Sequence, residues 1–301
     1  MPDLADLFPG YDSKWVNTSV GKIFARVGGK GPPLLLLHGY AQTNVMWHKV
    51  APDLAKSFTL VIPDLPGYGW SVAPHADQDH APYTKRAMAA IMTEVMEKLG
   101  HARFSLAGHD RGGRVGYRLA LDQPGRLDKL VTLDIVPTYA MWHDIDAGLA
   151  FRIWHWTFLA LPAPFPETMI GADPIHFWDA KTAPGTKAKN LSAFDPRAIA
   201  HYHAFFKDPT RIHATCEDYR AGHTTDLAID AADRAAGNKI TCPLLALWGE
   251  TGIPSETKNP LKTWREWATD VRGFAIDCGH YIPEENPAAT VKALTEFLTA
   301  K

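Results

Sequence analysis

The sequence predicts an α/β protein, with a mostly parallel central sheet flanked by helices and a helical block inserted into it. Three observations carry this reading. Short continuous apolar runs alternate with helical patterns up to residue 136. The alternation stops over 137–237, where no run of that kind occurs, and resumes after 238. Gly or Pro closes the early runs, as expected where buried parallel strands leave a sheet.

Residues 33–38 (PLLLLH) form the first such run and end at Gly39. Four consecutive leucines suit a strand covered on both faces. A second run, 58–65 (FTLVIPDL), is closed by Pro66 and Gly67. Residues 83–99 carry Met88, Ile91, Met92, Val95, Met96 and Leu99 at helical spacing, the pattern of an amphipathic helix. Residues 103–107 read as a third strand entering a turn at Gly108, 114–121 as a helix, and 129–135 (KLVTLDI) as a fourth strand. Over 137–237, stretches rich in Trp, His and Phe alternate with Pro-containing turns such as 161–166 (LPAPFP). The α/β rhythm returns with a strand at 243–249 (PLLALWG), a helix at 263–268, a strand at 274–277 and a last amphipathic helix at 287–298. The expected organisation is a core domain of 1–136 plus 238–301 and a helical cap domain of 137–237. Insertions on a parallel sheet characteristically cover the crevice at the strands' carboxyl ends.

Composition excludes several classes of function. With 31 Lys plus Arg against 33 Asp plus Glu, the 301-residue chain has a formal charge of −2. It lacks the large basic surface that nucleic acid requires. Hydrophobic residues at 46% and charged residues at 21% are ordinary for a soluble globular protein. Cys216, Cys242 and Cys278 are scattered and form no CxxC pair, so neither a disulfide framework nor a zinc knuckle is expected, and a cytoplasmic location fits. The start, Met1-Pro2-Asp3-Leu4-Ala5-Asp6, lacks the basic and apolar segments of a secretory leader. No apolar run approaches the roughly 18 residues of a membrane span.

The most informative segment is Gly108-His109-Asp110-Arg111-Gly112, between a strand and a helix. A G-x-nucleophile-x-G elbow presents its middle side chain on a tight turn, and the glycines permit close backbone approach. Here the apex is Asp, whereas an esterase would have Ser. A carboxylate nucleophile attacks carbon and forms an ester, which suits displacement at a carbon–halogen or epoxide carbon. The plainer reading of Asp110 is a helix cap. Ser71 in Gly69-Trp70-Ser71-Val72-Ala73 imitates a nucleophile motif, but it follows a Pro-Gly loop and reads as a loop residue.

The general base is expected at His280, after the last strand, in the chain order nucleophile, acid, histidine. Asp134, at the end of the fourth strand, is the preferred acid to orient it. Glu250, after the strand 243–249, is the alternative. His38-Gly39-Tyr40 follows the first buried strand, so the backbone N–H groups of Tyr40 and Arg111 are the expected oxyanion hole. His38 itself reads as loop support. Arg111 and Arg114, one and four residues past Asp110, could hold a substrate carboxylate through forked hydrogen bonds. Pairing with neighbouring acids is the ordinary role of such residues.

With these motifs the chain resembles the fluoroacetate (haloacetate) dehalogenases of the α/β-hydrolase fold. The likeness rests on His38-Gly39-Tyr40, on 64–69 (DLPGYG), on 108–114 (GHDRGGR), on Asp134-Ile135, on Trp154-His155-Trp156, on 217–222 (EDYRAG) and on Gly279-His280. It extends over essentially the whole chain. The resemblance implies that Asp110 displaces halide, that Arg111 and Arg114 hold the substrate carboxylate, and that His155, Trp156 and Tyr219 bind the halide. It also implies a homodimer, a small haloacid substrate, and neither metal nor organic cofactor. His201 and His203 lack a third ligand at metal spacing. The chain departs from the family at 38–42, which reads HGYAQ where HGFPQ is usual. Loss of Pro at 41 is expected to loosen that loop, and Tyr40 to add a hydroxyl near the pocket. An epoxide hydrolase with the same Asp and His is the alternative. It would need cap tyrosines, Tyr219 and Tyr202, to protonate the epoxide oxygen. A non-catalytic small-molecule receptor of this fold is the other alternative.

Overall fold

The structure is a computed structural model that describes residues 4–256 and 259–300. The first three residues of the N-terminal stretch considered above lie outside it. Eight strands form one sheet: β1 (Asp12–Thr18), β2 (Gly21–Gly29), β3 (Pro33–Leu37), β4 (Thr59–Pro63), β5 (Phe104–His109), β6 (Leu127–Leu133), β7 (Leu244–Gly249) and β8 (Val271–Ile276). Their order is β1-β2-β4-β3-β5-β6-β7-β8. The pairs from β4 to β8 are parallel, whereas β1–β2 and β2–β4 are antiparallel.

The buried apolar runs became the central strands. Leu34, Leu35, Leu36 and Leu37 of β3 are fully buried. Each such side chain contributes roughly 1.5–3 kcal/mol relative to leaving it exposed. The antiparallel start was not foreseen. β1 is an edge strand with the burial pattern of a polar surface, and β2 carries glycines at both ends, so neither has the continuous apolar signature. β8 begins at Val271, three residues earlier than expected. Its outward side chains are half-buried or exposed, which hides it from a search for apolar runs.

Register brings the chemistry to one edge. Leu37 pairs with Gly108, His109 with Leu133, Leu133 with Leu247, and Gly249 with Ile276. The residues that follow these strand ends, Tyr40, Asp110, Asp134, Glu250 and His280, therefore emerge at the carboxyl edge of the sheet. Between β6 and β7 the chain runs through helices only, from Thr138–His143 to Thr225–Ala236. Three of them start at Asp-Pro pairs: the carboxylates of Asp173, Asp195 and Asp208 accept from the amides of His176, Arg197 and Thr210. Proline at the first helical position and aspartate at the cap are what helix starts favour. Among the described residues no helix is long and apolar enough to cross a membrane.

Candidate active site

Asp110 sits at the junction of β5 and the helix Arg111–Asp122, with φ 45° and ψ −115°. A non-glycine residue in this region is strained, and such strain persists only where the surroundings enforce it. They do so by close approach. A Cβ at Gly39 would lie 2.5 Å from Cβ of Asp110, and one at Gly112 2.6 Å from Cβ of Leu37. Asp110 makes no side-chain cap bond to its helix. Its Oδ2 instead accepts the N–H of Tyr40 at 3.0 Å. Burial would raise the Asp110 pKa, but electrostatic interaction with His280, His109, Arg111 and Arg114 holds it well below the usual carboxylate range. The group is an anion, buried except for 6% of its surface.

His280 Nδ1 lies 2.6 Å from Asp134 Oδ2. Donation from Nδ1 to that carboxylate leaves Nε2 as the basic nitrogen. Asp134 is itself fixed by the amides of Gly249 at 2.8 Å and Ile253 at 3.2 Å. Glu250, the alternative acid, faces Lys187 at 3.2 Å on the surface, with about half its side chain exposed. His109 lies beside His280, ring centroids 4.6 Å apart and the planes tilted by 52°. Its Nε2–H donates to the His280 carbonyl at 2.8 Å, and burial pushes its pKa down to about 3.

A cavity of about 280 Å³ opens at this edge, lined by Asp110, His280, His155, Trp156, Lys181 and Tyr281 among others. Burial drives the His155 pKa well below its ordinary value, so the ring is neutral and offers one N–H. Tyr219 lies behind this wall, its ring 4.2 Å under the Arg111 guanidinium. Its hydroxyl is buried and finds no partner among the described residues.

The two arginines behave differently. Arg114 is 2% exposed. Its Nη1 donates to the Val136 carbonyl and the Thr138 hydroxyl, its Nε has no partner among the described residues, and it stacks on Trp156 at 4.5 Å. Arg111 corrects the expectation of a forked grip on substrate. Its Nε and Nη2 edge is turned onto Asp218, at 3.1 and 2.6 Å, because Asp218 is a buried carboxylate in reach of that fork. Asp218 also binds the Lys85 ammonium and the Tyr68 hydroxyl. Arg111 can therefore meet a substrate only through Nη1. Its backbone amide, in the first turn of its helix, has no intrahelical carbonyl to bind.

Other sequence readings can be located. His38 Nε2 accepts the Leu65 amide at 2.9 Å, which makes the ring a loop support. Ser71 is buried, donating to the Asp64 carbonyl and accepting the Phe24 amide, away from the cavity. Ser71→Ala should leave turnover unchanged and lower stability by about 1–3 kcal/mol, measured by urea unfolding. His201 binds the Ala5 carbonyl and His203 the Asp179 carboxylate. The loop at 38–42 is not loose. The Trp178 indole donates to the Ala41 carbonyl at 2.7 Å, and Gln42 binds Glu284 at 3.0 Å. The Tyr40 hydroxyl is buried without a partner among the described residues, and its ring stacks on His155. Lys181, Tyr281 and the role of Asp218 were missed. Only the tertiary fold brings them here; Asp218 lies within the 217–222 motif, but nothing there indicates its partner.

A strained carboxylate, a histidine–carboxylate pair and an amide on the carboxylate oxygen, gathered at strand ends, define a hydrolase of nucleophile-elbow type. The chain belongs to the α/β-hydrolase fold family, whose model matches residues 32–287. It is 42% identical over 293 residues to a fluoroacetate dehalogenase of Burkholderia sp, covering 97% of this chain and 95% of that one. It is 30% identical to a soluble epoxide hydrolase of Corynebacterium sp., covering 89% and 91% of the two. Among solved structures, ALR0039 of Nostoc sp PCC 7120 superposes with a TM-score of 0.94 at 48% identity, over 97% of this chain and 99% of that one.

Proposed function

We propose that this protein removes halide from a small 2-haloacid, most directly fluoroacetate, yielding glycolate. The observation that carries the reading is Arg114: a buried guanidinium one helical turn beyond a carboxylate nucleophile, with no acid in ion-pair range among the described residues. A buried cation with no directly paired carboxylate is costly even with Asp110 nearby, and a bound carboxylate offsets that cost. The dehalogenase relative supports the same substrate class.

In this mechanism the substrate carboxylate rests against Arg114 and the Nη1 edge of Arg111, which aims the halogen-bearing carbon at Asp110. An Asp110 oxygen attacks that carbon as the C–X electron pair leaves with halide. His155 and Trp156 on the cavity wall, with Tyr219 behind them, supply N–H and O–H donors for the halide. Nε2 of His280 then takes a proton from water, which adds to the ester carbonyl of Asp110, with Asp134 stabilising the imidazolium. The oxyanion develops on the Asp110 carboxyl, where the Tyr40 amide already sits at 3.0 Å, with the Arg111 amide as second donor. Collapse expels the substrate oxygen, which takes the proton back from His280, so the hydroxyacid leaves and the Asp110 carboxyl and neutral imidazole are restored.

On this reading 137–237 is a cap domain over a core of 1–136 and 238–301. The protein works in the cytoplasm, a location supported by its three unpaired cysteines. It works as a homodimer, supported by exposed Phe151, Phe165 and Met169. Epoxide hydrolysis is less well supported: the Tyr202 hydroxyl is committed to Glu284 at 2.9 Å and is not on the cavity wall. A fluoride electrode decides the matter. Steady fluoride release from fluoroacetate is the expected result. Diol formation from epoxides without halide release would reverse the assignment.

A further inference from the structure

The mechanism above leaves one charged group on the cavity wall without a task. Lys181 lies in the last turn of the helix Pro174–Thr182 and shares the cavity with Asp110, His155 and His280. Its ammonium sits over the Tyr40 ring at 4.6 Å and near the Tyr281 ring at 5.7 Å. It donates to the Tyr281 hydroxyl at 3.3 Å. Among the described residues no carboxylate lies within ion-pair distance of it. Arg152, the other cation on this wall, is engaged with the Thr251 carbonyl at 2.7 Å. Burial pushes the Lys181 pKa down to about 8, while Asp110 pulls it up, so the group is mostly charged at neutral pH.

Its neighbours identify which anion it would meet. The Tyr40 ring that carries the ammonium on one contact stacks on the His155 ring, 6.0 Å away and nearly parallel. Lys181 is also the principal positive charge acting on His155. Lys181 therefore belongs to the His155 side of the cavity. Arg114 meets Trp156 and Thr138, and Arg111 lies over the Tyr219 ring with its Nε and Nη2 edge spent on Asp218. The other donors offered to the halide, the His155 and Trp156 N–H groups and the Tyr219 hydroxyl, are neutral. A departing halide carries a full negative charge, and fluoride, the smallest, concentrates it most.

We propose that Lys181 is a further catalytic residue, whose ammonium stabilises the departing halide beside the neutral donor of His155. This rests on the dehalogenase reading and adds to it the source of the leaving group's countercharge. As the Asp110 oxygen–carbon bond forms and the C–X bond breaks, the bonding pair goes to the halide. The halide accepts a hydrogen bond from the ammonium, and the proton stays on Lys181. Preorganised donors at developing charge contribute large factors to rate, and the need is greatest for the poorest leaving group.

The test compares halogens. Lys181→Met keeps most of the stem and removes the charge; Lys181→Arg keeps the charge. Halide release would be followed on fluoroacetate, chloroacetate and bromoacetate, with circular dichroism to check the fold of each variant. For Lys181→Met the expected result is a fall in kcat of about 100-fold on fluoroacetate and about 5-fold or less on bromoacetate, with Lys181→Arg recovering much of the loss on fluoroacetate. An equal loss on all three halogens, or a loss confined to KM, would mean that Lys181 holds the carboxylate or the fold, and overturns the proposal. So would a Met variant as fast as the unmodified protein. An unmodified protein that releases no halide from any of the three defeats the dehalogenase reading and this proposal together, a result distinct from those just given.

Discussion

His280→Asn should take up one equivalent of fluoroacetate, release one equivalent of fluoride, and stop. Attack by Asp110 needs no base, because the carboxyl is already ionised in its field of positive charge. Hydrolysis of the ester does need one, and His280 Nε2 is the nitrogen left uncommitted by Asp134. Turnover should fall by about 10³-fold or more, in the range general-base removal produces. Intact mass should rise by one carboxymethyl group, and peptide mapping should find it on Asp110. An adduct elsewhere, or continued multiple turnover, would refute the assignment. Asp134→Asn should slow ester hydrolysis more than ester formation. Glu250→Gln should do neither, since its carboxylate faces Lys187 at the surface.

Arg114 carries the second large effect. Arg114→Lys keeps the charge but loses the planar fork and the stacking on Trp156, and the two side chains are not interchangeable at such a site. A fall of about 10²–10³-fold in kcat/KM on fluoroacetate is expected from lost positioning. Haloacetamide, which lacks the carboxylate charge, should be a poor substrate for the unmodified protein. Arg114→Met should be inactive on haloacids and lose about 1–3 kcal/mol of stability, because the buried Val136 carbonyl and Thr138 hydroxyl lose their donor. Efficient use of the amide, with an active Lys variant, would make Arg114 a structural residue and move the substrate class towards neutral molecules.

What could be read from the linear sequence follows a physical pattern. β3, β4 and β7 and the second half of β6 are buried on both faces, so continuous apolar runs announce them. β1 and β2 pair antiparallel at the sheet's edge, where one face meets solvent, and their polar and glycine-containing sequences carry no such mark. The elbow was legible because strand, Gly, Asp, Gly and helix are contiguous. Asp134 and His280 were legible because strand ends converge in a parallel sheet. Arg111 was read as substrate-facing because the fork's occupant, Asp218, lies 107 residues away. Lys181 was invisible for the same reason: its neighbours come from the loop after β3 and the segment after β8.

Asp218 also bears on how substrate and product travel. This one carboxylate, on a helix of the insert between β6 and β7, takes charge-bearing bonds from Arg111 on the elbow helix and Lys85 on another helix of the core, and a hydroxyl from Tyr68. All four side chains are buried. Swinging the insert away as a lid would strand two cations and an anion in poorly hydrated surroundings at once. The insert is thus riveted to the sheet beside the reaction centre. Traffic is then left to the cavity itself, whose lining includes the exposed Phe151, Trp154 and Pro184, and on heating insert and sheet should come apart in a single cooperative melt.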